Sequence, residues 1–198
     1  PSLPRLPNSR AEADSLSARV PADARRVLVD FDASRDAALN ADWSNTRIVH
    51  FATHALLDFE RPELSGVVLS LFDARGQPQD GFLRINDLYR LKLPVDLVVL
   101  STCESALGAS SGAEGVFNLA RPLFYAGARR VLASLWTVDD RAASEFMRRF
   151  YDAHLGERLD AASALQRAQF SMANDPHWAA PYYWAGYVLQ GDWREAAR

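Results

Sequence analysis

The sequence predicts an α/β fold with three layers, in which helices cover both faces of a mostly parallel central sheet. Short apolar runs typical of buried strands alternate with helical segments of roughly ten to fifteen residues. This alternation favours parallel strands joined by right-handed crossovers. A chain of 198 residues, 48% of them hydrophobic, buries enough surface to form one core without disulfides. We therefore expect residues 1–198 to form a single domain.

The predicted elements follow from capping residues, glycines and apolar periodicity. Residues 1–7 hold three prolines, so we expect a flexible arm there. The first predicted helix is 11–19, capped by Asn8 or Ser9, and the second is the stretch to about residue 41, capped by Ser34. A later helix runs from the end of 108–115 to Tyr125 and stops at Gly127. The other predicted helices are 85–91, 139–155 and 159–173. The predicted strands are 26–29, 47–52, 66–72, 95–101, 130–136 and 182–189, with a loop at 56–62 and a turn at 73–76.

Charge and hydropathy exclude two classes of partner. The chain has 22 Lys+Arg and 25 Asp+Glu residues, a net charge of −3, so it lacks a basic field that would bind nucleic acid. Its longest apolar run, 95–100, contains Asp96 and is far shorter than the roughly 20 residues that a membrane helix needs. We expect a cytoplasmic protein and, because the chain begins with Pro1, a fragment of a longer one. The oligomeric state stays open.

The composition also argues against metals and cofactors. With a single cysteine, the chain can form neither an internal disulfide nor a zinc site built from cysteines. His50 and His54 are four residues apart with no third ligand close by, and we expect His50 to be buried and hydrogen-bonded. The glycine-rich stretch 108–115 is not followed by the Lys-Ser or Lys-Thr pair of a phosphate loop. We therefore expect no metal and no cofactor.

Two residues lie where an α/β sheet places its chemistry, at the carboxyl ends of strands. His54 follows the predicted strand 47–52, and Cys103 follows the predicted strand 95–101. A thiol with an imidazole near it can act as a nucleophile, because the imidazole promotes the thiolate and then protonates the leaving amine. Taken alone, Cys103 also fits as a small buried residue and His54 as a loop histidine. Their separation of 49 residues is close to the roughly 50 residues between the caspase histidine and cysteine.

Six blocks of the sequence, in order, resemble the CHAT domain, a caspase-like family related to separase. The similarity runs from about residue 8 to residue 193. The blocks are His50 to His54, Val98 to Ser105, Glu114 to Val116, Ala126 to Ala128, Ser134 to Asp140 and Tyr182 to Tyr187.

The resemblance implies a caspase-hemoglobinase-like fold and a clan CD cysteine peptidase that cleaves a protein substrate. It places the catalytic histidine at His54 and the nucleophile at Cys103. It implies an oxyanion hole formed by the backbone N–H groups of Cys103 and Ala55. CHAT domains commonly follow tetratricopeptide repeats in bacterial proteins, so such repeats are expected in the full-length chain.

The sequence departs from the family pattern after the histidine, where the usual glycine is replaced by Ala55. If that backbone needs a positive φ, alanine costs on the order of 1 kcal/mol and tilts the oxyanion donor; if φ is negative, the change is nearly silent. A smaller departure is Ala106, where glycine is common. The alternative to a peptidase is an inactive or latent caspase-like module that acts as a regulatory protein-binding domain.

Two adjacent carboxylates are the candidates for substrate specificity. Asp139 and Asp140 follow the predicted strand 130–136, so they too lie at the carboxyl edge of the sheet. A carboxylate there would select Lys or Arg at the residue before the cleaved bond, and the resemblance to separase implies the same basic preference. Asp is also well suited to cap the helix that begins near Arg141. Since there are two aspartates, one can cap the helix while the other binds the substrate.

Overall fold

The computed structural model describes residues 3, 5–58, 61–101, 104–107 and 113–192. Strands and helices alternate along these ranges. The strands are β1 (Ile48–Phe51), β2 (Ala55–Asp58), β3 (Gly66–Val68), β4 (Phe82–Arg84), β5 (Leu97–Leu100), β6 (Glu104–Leu107), β7 (Arg130–Ser134) and β8 (Tyr187–Gly191). The helices are α1 (Pro7–Ser17), α2 (Arg35–Leu39), α3 (Ile85–Leu88), α4 (Ala113–Ala126), α5 (Asp140–Tyr151) and α6 (Ala161–Ala173).

The first sheet has the strand order β1-β5-β7-β8. Its first three strands are parallel, with Phe51 opposite Leu100 and Val98 opposite Val131. The last strand, β8, is antiparallel to β7. The mostly parallel sheet expected from the sequence is confirmed, and β5 lies between β1 and β7.

Helices cover both faces of this sheet because alternate side chains of its strands point to opposite sides. Val98 and Leu100 of β5 belong to a core that includes buried residues of α2, α3 and α4. Leu97 and Val99 belong to a second core, formed mainly with α5 and α6. All four side chains are at most 2% exposed. The sheet is therefore the middle of three layers, as predicted.

A second sheet, with the strand order β4-β3-β2-β6, was not predicted. The pairs β4–β3 and β3–β2 are antiparallel, and β2 is parallel to β6. A Cβ on Gly66 of β3 would lie 2.3 Å from the carbonyl oxygen of Leu83, so this close approach of β3 and β4 needs glycine. The chain passes from the first sheet to the second between β1 and β2, and again between β5 and β6.

Two of the predicted elements are wrong. Residues 55–58 form β2, although a loop was predicted over 56–62, because the segment is held by two neighbouring strands that lie far away in sequence. Residues 26–29 form no strand. Their backbone is extended at Val29, with φ of −134°, but Val27 is 44% exposed and no ladder joins the segment to a sheet. Strand propensity alone does not supply a partner.

The ends of other elements differ from the predictions by a few residues. The first helix begins at Pro7, whose fixed φ suits a first helical position, rather than at residue 11. The last strand is Tyr187–Gly191 rather than 182–189, and residues Pro181–Tyr183 form a 3-10 turn. The predicted stop at Gly127 is confirmed, since Gly127 follows α4 with a φ of 114°.

Candidate active site

His54 lies in the short connection between β1 and β2. Its carbonyl oxygen accepts a hydrogen bond from the N–H of Val68 in β3 at 2.8 Å. The hydroxyl of the preceding residue, Thr53, donates to the carbonyl oxygen of the same Val68 at 2.5 Å. His54 is 8% exposed. The connection is therefore held at the carboxyl end of β1 by one backbone bond of His54 and one side-chain bond of Thr53 to a strand of the second sheet.

Cys103 lies outside the described residues, but the chain on either side of it is described. Ser101 donates its N–H to the carbonyl oxygen of Phe51 at 3.0 Å, directly after β5. Glu104, the first residue of β6, is paired with Ala55. The two flanks of Cys103 thus lie beside the two flanks of the Thr53–His54 connection.

Ala55 is a strand residue with ordinary backbone geometry. It is the first residue of β2 and is 1% exposed. Among the described residues other than glycine, positive φ occurs at Asp30 and Arg158, so Ala55 takes no left-handed conformation. Of the two outcomes considered for an alanine here, the structure supports the nearly silent one.

The hydrogen bonding also gives the direction of the Ala55 N–H. Since the carbonyl of His54 points to β3 and alternate residues of a strand direct their backbone groups to opposite sides, the N–H of Ala55 points to β6. That is the side on which the chain approaches Glu104. This is the side used by the β2–β6 ladder.

The two candidate specificity residues have different surroundings. Asp139 caps α5, because its Oδ1 accepts hydrogen bonds from the N–H groups of Arg141 and Ala142 at 3.1 and 3.0 Å. Asp139 is exposed and follows β7, which ends at Ser134. Asp140 is held instead by Asn8, whose backbone N–H and side-chain amide donate to Oδ2 at 2.9 and 2.7 Å. The expected capping role belongs to Asp139.

His50 belongs to a hydrogen-bonded polar cluster, as expected from the sequence, but it is only partly buried, with 11% of its side chain exposed. Its Nε2 lies 2.6 Å from Oε1 of Glu12 in α1, and its Nδ1 lies 3.0 Å from the hydroxyl of Tyr151 in α5. Burial, and secondly the charge of Glu12, raise the pKa of Tyr151 well above its ordinary value. Sequence analysis did not identify Glu12 or Tyr151 as partners, since neither is near His50 in the chain.

An open cavity of about 600 Å³ is lined by Asn8, by residues of α5 and by residues that follow α6, and His54 is not part of its lining. Arg149 is bonded there to Glu145 at 2.6 Å and to Asp175 at 2.5 Å, so its charge is already paired with two carboxylates. The guanidinium of Arg141 lies 5.8 Å from the Trp178 ring centroid. This is the geometry of a surface ion-pair network.

Two kinds of feature are absent from the residues that the structure describes. In the part of the chain that the structure describes, no helix combines the length and the apolar character that crossing a membrane requires. Over the same residues, no cluster of three or more His, Cys, Asp and Glu side chains is arranged to hold a metal ion. The glycine-rich stretch lies outside the described residues at 108–112, and α4 begins at Ala113.

Comparison with known proteins agrees with the fold. Tetratricopeptide repeat protein 28 of Homo sapiens is 36% identical over 113 residues, which are 57% of this chain and 4% of that protein. The Mus musculus protein of the same name is 37% identical over 105 residues, 53% of this chain and 4% of that protein. The chain thus matches only a small part of these relatives. The sequence model of the CHAT domain family matches residues 1–192, and the chain belongs to this caspase-like family.

Proposed function

We propose that this CHAT domain is a cysteine endopeptidase with Cys103 as nucleophile and His54 as general acid and base. The observation that carries the proposal is the order of the parallel strands. Cys103 follows β5, the middle strand, while His54 follows β1 on one side and Asp139 follows β7 on the other. Since the carboxyl ends of parallel strands meet at one edge of a sheet, this order supports a site in which the strand before the proposed nucleophile lies between those before its proposed base and specificity residue.

The chemistry assigns one role to each group. The Cys103 sulfur, as a thiolate, attacks the carbonyl carbon of the scissile peptide bond, and the negative charge moves to the carbonyl oxygen. The N–H groups of Cys103 and Ala55 stabilise that oxyanion. The C–N bond then breaks as the His54 imidazolium gives its proton to the leaving amine. Water, deprotonated by His54, hydrolyses the resulting thioester and restores the thiol.

An aspartate at the end of β7 gives the site a preference for a basic residue before the cleaved bond. Asp139 caps α5 through one carboxylate oxygen, Oδ1, and the cap does not use Oδ2. A carboxylate binds a guanidinium or ammonium group through charge-assisted hydrogen bonds. Asp140 adds negative charge but is already bonded to Asn8. We propose Asp139 as the specificity residue of the pair.

A latent state is the second candidate, and the β2–β6 ladder favours it. The N–H of Ala55 points to the side on which β6 is paired, so an oxyanion has to displace part of that ladder before it can use this donor. In this latent state the domain binds partners without cleaving them, until one partner separates β2 from β6. Both matched relatives are named as tetratricopeptide repeat proteins, so we propose that such repeats, elsewhere in a longer chain, present the substrate or the activating partner.

The test is covalent labelling with acyloxymethyl ketone peptides, followed by mass spectrometry. A probe with Arg before the reactive group is expected to label Cys103 in the wild-type chain. No label is expected in Cys103→Ala, and His54→Ala should be labelled at least about a hundredfold more slowly, since a general acid and base contributes factors of this size. A matched probe with Asp in place of Arg should react poorly.

The outcomes separate the two candidates. Labelling by the Arg probe supports the peptidase and its acidic specificity residue. Failure of both probes, with Cys103 still alkylated by iodoacetamide, contradicts a preformed peptidase and favours the latent module. Equal labelling of Cys103→Ala, which has no thiol, would show that the probe reacts elsewhere.

A further inference from the structure

We infer that Thr53 is a positioning residue, whose hydroxyl fixes the His54 backbone on β3 and so sets where the imidazole lies. The inference rests on the proposed function for its catalytic consequence. It names a residue that is not part of the proposed dyad, oxyanion hole or specificity site.

The geometry is a pair of hydrogen bonds that meet at one residue of β3. The N–H of Val68 donates to the carbonyl of His54 at 2.8 Å, and the carbonyl of Val68 accepts from the Thr53 hydroxyl at 2.5 Å. Both backbone groups of Val68 are therefore engaged by two consecutive residues, Thr53 and His54. Val68 itself is 7% exposed, so water competes weakly for these groups.

The Thr53 bond takes the place of a ladder bond. Residues 52–54 lie between β1 and β2 and belong to neither strand. The Thr53 hydroxyl binds this connection to β3, as strand pairing binds Ala55 and Leu56 to β3 further along the chain. Because two bonds on adjacent residues restrain the rotation of the intervening peptide, the direction of the His54 Cα–Cβ bond is fixed with respect to β3.

The position of His54 matters because proton transfer requires a close and well-aligned approach. A catalytic group misplaced by about 1 Å can lower the rate by roughly a hundredfold. Loss of the Thr53 hydroxyl also leaves the buried carbonyl of Val68 without this donor, which favours a shift of the connection toward another partner. A residue at position 53 thus acts through His54 and not on the substrate.

Two substitutions separate the hydroxyl from the rest of the side chain. Thr53→Val has nearly the same shape but no donor, whereas Thr53→Ser retains the donor. Thr46→Val, placed before the amino end of β1, is a matched control for the exchange of threonine for valine. Thermal melting of all three variants checks that each is folded.

The first measurement is the pH dependence of Cys103 labelling by the Arg probe. In Thr53→Val we expect the rate to fall by about 10- to 100-fold and the pH profile to shift, with Thr53→Ser and Thr46→Val within about threefold of wild type. A folded Thr53→Val variant with the wild-type rate and profile would overturn the inference. So would a Thr53→Ser variant that is as impaired as Thr53→Val.

The second measurement does not need peptidase activity. Titration of the His54 imidazole by NMR, assigned with His54→Ala, reports the ring's surroundings directly. Thr53→Val should change the His54 ring chemical shifts and titration midpoint, and Thr53→Ser and Thr46→Val should not. If the Arg probe labels no variant, the proposed function fails, while unchanged His54 signals in Thr53→Val would refute the positioning role alone.

Discussion

Ala55 and Glu104 are paired across two parallel strands and are 49 residues apart in the chain. The same offset relates Phe51 to Leu100 in the other sheet. The two connections between these paired strands therefore contain equal numbers of residues, 52–54 and 101–103. His54 and Cys103, also 49 residues apart, hold equivalent positions in them.

Ala55→Gly, which restores the residue usual in the family, should not increase activity. Ala55 has no positive φ and lies in a strand, so glycine relieves no strain there. Glycine in a strand costs about 0.5–1 kcal/mol relative to alanine. We expect a slightly lower midpoint in urea unfolding and probe labelling within about threefold of wild type. A tenfold gain in labelling would show that the alanine methyl group hinders the site.

Replacement of Asp139 should separate the helix-capping role of its side chain from the effect of its negative charge on substrate preference. Asn caps helices about as well as Asp, whereas Ala costs about 1 kcal/mol. Asp139→Asn should therefore keep the stability of the wild type and lose about tenfold or more in its preference for Arg over Asp probes, since a charge-assisted hydrogen bond is lost. Asp140→Asn is the control, because its partner is Asn8. An unchanged preference in Asp139→Asn would leave Asp139 as a helix cap only.

Tyr151 makes the stability sensitive to alkaline pH. Burial, and secondly Glu12, raise its pKa in the folded state, so above about pH 10 the unfolded chain loses the phenol proton while the folded chain keeps it. Stability is therefore present below that pH and declines as pH rises. Tyr151→Phe should be less stable at pH 8 by about 1 kcal/mol, for the lost bond to His50, but should decline less between pH 9 and 11. Urea unfolding at several pH values measures this, and parallel declines would contradict it.

Asp87 makes the stability sensitive to acid. Its burial raises its pKa, but the Arg35 guanidinium, at 2.7 and 3.0 Å, and the N–H of Arg84 outweigh burial and lower the pKa below its ordinary value. The ion pair therefore stabilises the fold above about pH 4, the ordinary pKa, and is lost as pH falls through the lower folded value.

Asp87→Asn should cost about 2 kcal/mol at pH 7, because hydrogen bonds to a charged group are lost, and the difference from wild type should shrink by pH 3. Asp36→Asn, which is exposed and near Arg35 in the chain, serves as the control. A difference that stays constant from pH 7 to pH 3 would show that the carboxylate charge of Asp87 does not contribute.

Local patterns in the sequence predicted the elements that depend on local interactions. Ser34 caps α2 through a bond from the Ala37 N–H, Gly127 ends α4, and the apolar run before Ser101 forms the central strand β5. These signals are contained within a few residues of the chain. The α/β class followed from them, because alternating strands and helices leave few other arrangements.

The second sheet could not be predicted in this way. Leu56 and Leu57 stand next to Asp58 and close to Pro62, a composition typical of a loop, and their strand forms because β3 and β6 lie on either side. The bonds of Val68 to Thr53 and His54, and those of His50 to Glu12 and Tyr151, likewise join residues remote in sequence. Pairings of this kind depend on the assembled fold and not on propensity.

The chain crosses from the first sheet to the second at two neighbouring places, before Ala55 and before Glu104. Each crossing joins a strand paired in the first sheet to a strand paired in the second. Any displacement of the second sheet relative to the first would therefore have to be taken up within residues 52–54 and 101–103, the two stretches that contain His54 and Cys103. A ligand that binds β3 would act on the first of these stretches directly, through the bonds of Val68 to Thr53 and His54.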